Sequence, residues 1–121
     1  MTIIEAINKI DSLKHNTYNQ NDKVEWLSRA DWMIKRHIID THEGGVEFSG
    51  YDGSTDLQKE LLAPAPYDEL YLRWMEAQID YNNGEYSKYN NSIDMFNTAY
   101  EAFQNYYNRT HMPIGKSLKY F

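Results

Sequence analysis

Apolar residues recur at helical spacing through most of this chain and divide it into four predicted helices. The first begins at Thr2, whose hydroxyl can cap the helix while Glu5 reaches back, as in the T-x-x-E capping box. In the second helix, Asp22 and Glu25 give the starting signal. The predicted apolar faces are Ile3, Ile7, Ile10 and Leu13 in the first helix, and Val24, Leu27, Ala30, Ile34 and Ile38 in the second.

The third helix is apolar on two sides. It is predicted to start near Pro66, because proline is tolerated in the first turn, and to end at "NNG", with Gly84 in the left-handed position after the helix. A helix with two apolar faces is normally packed between others. One face is Tyr67, Leu70, Trp74, Ala77 and Tyr81, and the other is Leu72, Met75 and Ile79.

The fourth helix has the most regular pattern, a 3.5-residue repeat over three heptads: Tyr86, Tyr89, Ile93, Phe96, Tyr100, Phe103 and Tyr107. The short turn at 82–84 predicts an antiparallel hairpin with the third helix. Tyr81 would then face Tyr86, Trp74 would lie near Ile93, and Tyr67 would lie near Tyr100. Aromatic residues in such a seam are more often hairpin core than a binding site.

The fourth helix is also predicted to be longer than the third, at roughly 36 Å against roughly 25 Å. Its last two turns, with Phe103, Tyr106 and Tyr107, would overhang the hairpin. These rings need cover from the first two helices or from another molecule, and an uncovered aromatic patch is typical of an interaction surface. We therefore predict subunit-interface candidates at Phe103, Tyr106 and Tyr107. Trp32 and Phe48, outside this helix, are further interface candidates.

Residues 41–56, "THEGGVEFSGYDGSTD", are the least regular part of the chain, with four glycines. Val46 and Phe48 alternate with polar neighbours, which fits a short strand or β-hairpin arm as well as a plain loop. Trp32 lies opposite the apolar stripe of its helix, so either this loop covers it or it lies at an interface. A brief helical turn is predicted around Leu57–Leu62.

These patterns predict an all-α, small four-helix bundle-like domain over residues 1–109, with an irregular arm at 41–56. An extended C-terminal tail is predicted over residues 110–121. A length of 121 residues fits one domain whose core needs no metal or disulfide, and the chain has no cysteine. We find no signal-peptide pattern and no stretch of bilayer-spanning length, so we expect a soluble, cytoplasmic protein.

The net charge of −6 is unevenly distributed. All 18 acidic residues lie at or before Glu101, whereas residues 102–121 contain Arg109, Lys116 and Lys119 and no acid. An acidic body argues against nonspecific nucleic-acid binding, which depends on the neutralisation of phosphates by lysine and arginine. The basic tail either binds an acidic protein groove or is a solvated end.

Residue clusters that could support chemistry are few. His37, Asp40, His42 and Glu43 lie near the end of the second helix, but a spacing of five does not place the two histidines on one helical face. Polar residues at a helix terminus are the simpler interpretation. "DGSTD" at 52–56 lacks the remaining ligands of an EF-hand and predicts a turn. We predict no catalytic residue, metal or cofactor, and no enzymatic activity.

Residues 64–113 contain the short sequence motifs "APYDELY", "W-x-x-A-x-I-D", "YNN" and "YYNRTHMP", in that order. This region resembles the head–tail connector, or adaptor, family of tailed phages and prophages of Gram-positive bacteria. The resemblance covers residues 57–113 well, and the N-terminal helices only in general character.

The resemblance implies a small helical protein that docks as a homo-oligomeric ring of about twelve copies beneath the phage portal protein. Such a ring extends the DNA channel without specific DNA binding and carries the next neck protein, a stopper or head-completion protein. It implies a location in the virion neck, and in the host cytoplasm during assembly, with no membrane contact. The portal-gripping tail would contain Arg109, Thr110, His111, Met112, Pro113, Ile114, Lys116, Leu118, Lys119, Tyr120 and Phe121.

Two other functions stay open at this point. One is a small helical protein-binding or regulatory module of phage origin that uses the aromatic seam as a groove. The other, which the sequence favours least, is a metal-dependent hydrolase built on His37 and His42.

Overall fold

The computed structural model describes residues 1–114, and most of them are helical. The four α-helices are α1 (Ile3–Leu13), α2 (Gln20–His37), α3 (Glu69–Asn82) and α4 (Tyr86–Thr110), with a short 3-10 helix at Ile39–Thr41. Within this part of the chain there is no β-strand, only two isolated antiparallel bridges. The predicted all-α class is confirmed. Among the described residues, no helix combines the length and apolar character that crossing a bilayer requires.

The capping box of α1 is confirmed. The Glu5 amide donates to Thr2 Oγ1 at 3.2 Å, and the Thr2 amide donates to Glu5 Oε1 at 3.0 Å. The first three isoleucines of the stripe are buried, but Leu13 is 67% exposed, so its predicted place in the core is wrong. α1 ends at Leu13 and the chain continues in an extended conformation at Lys14, which leaves this last position uncovered.

The cap of α2 lies three residues before Asp22, the cap that the sequence predicted. Asn19 is the cap, and its Oδ1 accepts the Asp22 amide at 2.8 Å. Asparagine is as good a cap as aspartate, and here it precedes the first hydrogen-bonded turn. The predicted apolar stripe is confirmed, because Val24, Leu27, Ala30, Ile34 and Ile38 are all buried.

α3 is the central helix and packs against α1, α2 and α4. This agrees with its two apolar faces: Met75 and Ile79 are fully buried, and Leu72 is partly buried against the core. The helix begins at Glu69 rather than at Pro66, because residues 65–68 form turns in which the Tyr67 amide donates to the Pro64 carbonyl at 2.8 Å.

The end of α3 is a Schellman motif. Gly84 has φ +74°, its amide donates to the Tyr81 carbonyl at 3.0 Å, and the Glu85 amide donates to the Asp80 carbonyl at 2.9 Å. The predicted role of Gly84 is confirmed. α4 starts two residues later and packs along α3.

Ring pairs connect α3 and the turn before it to α4. Tyr81 contacts Tyr86 at a ring-centroid distance of 5.8 Å, as predicted, and Trp74 lies on Phe96, one turn beyond Ile93, at 5.0 Å. Tyr67 packs against Phe103, one turn beyond Tyr100. Helical side chains lean towards the N-terminus of their own helix. A ring therefore meets a partner about one turn away from the residue opposite its own Cα.

Residues 42–68 contain neither a helix nor a strand, so they form a loop and the alternative of a β-hairpin arm is not supported. The helical turn predicted at Leu57–Leu62 is also wrong. Instead, the Leu57 and Lys59 carbonyls accept the amides of Ile4 and Ile3 at 2.9 and 3.0 Å. The first amides of a helix have no partner inside the helix, and this segment supplies one for each.

Candidate functional site

The end of α4 is covered by other parts of the same chain. α4 rises about 37 Å and α3 about 21 Å, so the last turns of α4 extend beyond α3. Phe103 is nevertheless only 1% exposed. Tyr67, in the turn before α3, packs against Phe103 at 6.0 Å and stacks on Tyr106 at 4.7 Å between ring centroids. Tyr67 and Tyr106 are themselves half-buried.

Two histidines cover Tyr107, which is 7% exposed. The ring of His111 stacks on it in parallel, with centroids 3.7 Å apart, and His42 meets it edge-on at 4.9 Å. The Nδ1 atom of His42 lies 2.6 Å from the Ile38 carbonyl. Phe103 and Tyr107 therefore do not present the interface surface that their overhang predicted.

The segment after α4 folds back on the segment after α2. The Glu43 amide donates to the Met112 carbonyl at 2.8 Å, and the Ile114 amide donates to the Thr41 carbonyl at 2.9 Å. Thr110 is the last residue of α4, and residues 111–114 lie against the segment after α2; the rest of the predicted tail falls outside the described residues.

The predicted portal-binding residues fall into two groups. Arg109 and Thr110 are exposed at the end of α4, Met112 and Ile114 are 53% and 55% exposed, and His111 and Pro113 are half-buried. The other predicted residues lie outside the described part of the chain: Lys116, Leu118, Lys119, Tyr120 and Phe121.

The glycine-containing loop covers Trp32, which decides between the two alternatives for this ring. Phe48 packs against Trp32 at 4.9 Å and against Tyr51 at 5.0 Å. Gly50 has φ +90°, and a Cβ atom there would lie 3.1 Å from Trp32 Nε1, so a larger residue would be strained. Trp32 and Phe48 are both half-buried.

A buried polar network, which we did not predict, holds this loop on α2 and α3. Asp31 is fully buried and accepts hydrogen bonds from the hydroxyls of Tyr51 and Tyr71, each at 2.5 Å, and from the Leu62 amide at 3.2 Å. The Ala63 amide donates to the Tyr71 hydroxyl at 2.7 Å. These bonds connect both ends of the segment 51–63 to helix residues.

Burial dominates the electrostatics of this network. Desolvation raises the pKa of Asp31 to about 6, although the hydrogen bonds from Tyr51, Tyr71 and Leu62 act in the opposite direction. Burial and the charge of Asp31 also raise the pKa values of Tyr51 and Tyr71. Because Asp31 and Tyr71 are 0% exposed, a substrate has no access to them, and the arrangement is structural.

A second buried carboxylate connects three helices. Asp80, the last residue of the W-x-x-A-x-I-D motif, is fully buried on α3. Its Oδ1 lies 2.5 Å from Lys14 Nζ at the end of α1, and its Oδ2 accepts the Ser92 hydroxyl of α4 at 2.6 Å. This position therefore has a structural role in the fold.

The candidate metal ligands do not converge. His42 is buried against the Ile38 carbonyl, Asp40 forms an ion pair with Lys35, and His37 is exposed. Over residues 1–114, no three histidine or acidic side chains are grouped so as to hold a metal ion. The predicted turn at "DGSTD" is confirmed, with Asp52 Oδ1 accepting the Ser54 amide at 2.8 Å.

Comparison with models of protein families, with curated proteins and with solved structures finds no match to this chain. The resemblance to phage adaptors therefore stays a prediction that rests on the sequence motifs of residues 64–113.

Proposed function

We propose that this chain is a structural protein of a phage neck, a head–tail connector or adaptor. In this proposal a ring of about twelve copies docks beneath the portal protein, extends the DNA channel and carries the next neck protein. The four helices form a small bundle in which α3 and α4 are an antiparallel hairpin, and residues 109–121 bind the portal.

The observation that carries this proposal is the basic and apolar composition of the C-terminal end. It follows a body that holds all 18 acidic residues, and it combines basic residues with apolar ones. Met112 and Ile114 are more than half exposed beside the exposed Arg109. An exposed segment that is both basic and apolar, placed beside an ordered helix end, supports docking into an acidic protein groove.

The acidic body supports the part of the proposal that concerns DNA. A channel through which DNA slides has to avoid contacts with phosphates, and negative charge repels them. The net charge of −6 fits a channel component better than a DNA-binding protein.

The alternative of a binding module with a groove along the aromatic seam has less support. Phe96, Phe103 and Tyr107 are buried, and Ile93 and Tyr100 pack against the core, so most of the seam is internal. Only its end near the α3–α4 turn is open, with Tyr81 and Tyr86 54% and 61% exposed. The position of the gene relative to portal and capsid genes distinguishes this alternative from the adaptor proposal.

A truncation that ends at Ile114 tests the portal contact. It retains the pairing with Thr41–Glu43 and removes Lys116 and Lys119, so we expect unchanged unfolding and at least about tenfold weaker binding to the portal encoded beside the gene. Binding is measured by surface plasmon resonance, and folding by circular dichroism.

A charge-reversed full-length chain separates the effect of the lysine charges on portal binding from the effect of shortening the chain. Lys116→Glu with Lys119→Glu should weaken portal binding, whereas Lys9→Glu, an exposed charge reversal on α1, should not. Portal binding that survives both the truncation and the reversal would refute the role of the C-terminal end.

A further inference from the structure

A second stripe of residues on α4 runs beside the aromatic seam and stays partly open to solvent. It consists of Lys88, Ser92, Met95, Ala99, Ala102, Tyr106 and Arg109. From Lys88 to Tyr106, each of its positions precedes a seam position by one residue, so the stripe repeats with the same heptad spacing. Met95 is 40% exposed, Lys88, Ala102 and Arg109 are exposed, and the other three residues are half-buried.

Cavities along this stripe leave room for the side chains of another helix. One of about 370 Å³ lies over its first half and one of about 320 Å³ lies over its second half, with Met95 lining both. Residues of α3 line the opposite wall, where Arg73 is paired with Glu69 and Glu76, at 3.1 Å in each case. A groove with one charge-paired wall and one mostly uncharged wall therefore runs between α3 and α4.

The middle of the stripe is complementary to itself when two copies of α4 run in opposite directions. With residue 97 at the centre, Met95 of each copy lies opposite Ala99 of the other, and Ser92 lies opposite Ala102. On either side of the centre, a large exposed side chain thus meets a small one. Because the alanines are small, the two helix axes can approach closely and the side chains can interdigitate.

The charges at the two ends favour the same antiparallel register. Lys88 of each copy lies opposite the Tyr106 ring of the other, which allows a cation–π contact. Glu85, the residue before α4, lies opposite Arg109. Within residues 1–114, Arg109 forms no salt bridge, whereas Glu85 Oε2 pairs with Lys88 Nζ at 2.6 Å. A parallel pair would instead bring the two Arg109 side chains together.

We propose that two copies of this chain associate through antiparallel α4 helices along this stripe. Asp94 and Glu101, the acidic residues within α4, lie off the stripe, so the contact does not bring them together. A helix face about 37 Å long and about 10 Å wide is smaller than the roughly 800 Å² per partner of a standard interface, so the dimer is weak. This contact is isologous, unlike the head-to-tail contact of a ring, and it does not depend on the phage proposal.

Sedimentation equilibrium of the full chain tests the dimer directly. Between about 10 µM and about 1 mM, the mass should rise from that of the monomer towards that of the dimer, with a Kd on the order of 100 µM. Met95→Lys places two charges near the centre of the contact and should weaken association at least about tenfold. Asn97→Lys makes the same change in net charge at an exposed position on the other side of α4, and should leave the Kd unchanged.

Two charge variants test whether the partner is a second copy in this register. Arg109→Glu places two carboxylates opposite each other at each end, and Glu85→Arg places two guanidinium groups there. Each variant by itself should therefore dimerise at least about tenfold more weakly than the parent. An equimolar mixture of the two restores opposite charges at both ends and should associate with about the Kd of the parent. Circular dichroism checks that both variants fold like the parent.

Three outcomes overturn the inference. The first is a chain that stays monomeric up to about 1 mM, ten times the expected Kd. The second is a dimer that Met95→Lys leaves intact. The third is a pair of charge variants that associate no better when mixed than each does by itself.

Discussion

Replacing Asp31 with alanine is expected to lower the free energy of unfolding by about 3 kcal/mol. The change leaves two tyrosine hydroxyls and the Leu62 amide without their acceptor, at about 2 kcal/mol for each buried group. The substitution also removes the free-energy cost of burying a carboxylate, and this offsets roughly half of that loss. Urea unfolding followed by circular dichroism measures the net effect.

Two control variants make this result specific to the network. Asp31→Asn keeps an acceptor oxygen and should destabilise the protein less than alanine. Asp94→Ala, an exposed change on α4, should alter the free energy of unfolding by less than about 0.5 kcal/mol. Equal stability of the alanine variant and the parent would show that the loop is not held through Asp31.

The contribution of Asp31 to the free energy of unfolding should increase as pH falls, which is the opposite of the usual direction for an aspartate. Because the pKa of Asp31 is raised to about 6 in the folded chain, the folded state binds this proton more tightly than the unfolded state, where the pKa is near 3.8. The parent should therefore gain up to about 3 kcal/mol relative to Asp31→Asn as pH falls from about 6 to about 4. A constant difference between the two chains across this range would contradict the buried-charge interpretation.

Phe103→Ala is expected to destabilise the isolated chain by about 3–5 kcal/mol, the range for removing a buried phenylalanine. The ring is 1% exposed and packs against Tyr67, Tyr106 and Tyr107 within one molecule. If instead this ring served an interface between copies, its loss would leave the unfolding of a dilute monomer almost unchanged. Thermal unfolding at low protein concentration distinguishes these outcomes.

Tyr86→Ala is the matched control on the same helix. Its side chain is 61% exposed, so its loss should change stability by less than about 1 kcal/mol. A larger loss from Tyr86→Ala than from Phe103→Ala would reverse the assignment of core and surface along α4.

The sequence predicted local features well, because neighbouring residues determine them. The capping box at Thr2, the stripe from Val24 to Ile38 and the left-handed Gly84 depend on residues within a few positions of each other. Competing local signals explain one error, since Asn19 and Asp22 are both good caps and only their position relative to the first turn decides between them.

Features that depend on distant segments were not predicted. Part of the cover for Tyr107 comes from His42, and cover for Phe103 comes from Tyr67, and helix spacing connects neither pair. One signal for the network was available in the sequence. Asp31 lies four residues after Leu27 and three before Ile34, so a charged residue occupied a buried stripe and required partners.

The most direct measurement for the proposed function is the mass of the complex formed with the portal ring encoded beside the gene. Light scattering after size exclusion should show about a dozen copies of this 14.4 kDa chain bound to each portal, and none after truncation at Ile114. Elution of the chain by itself at its monomer mass, separate from an intact portal ring, would contradict the adaptor proposal.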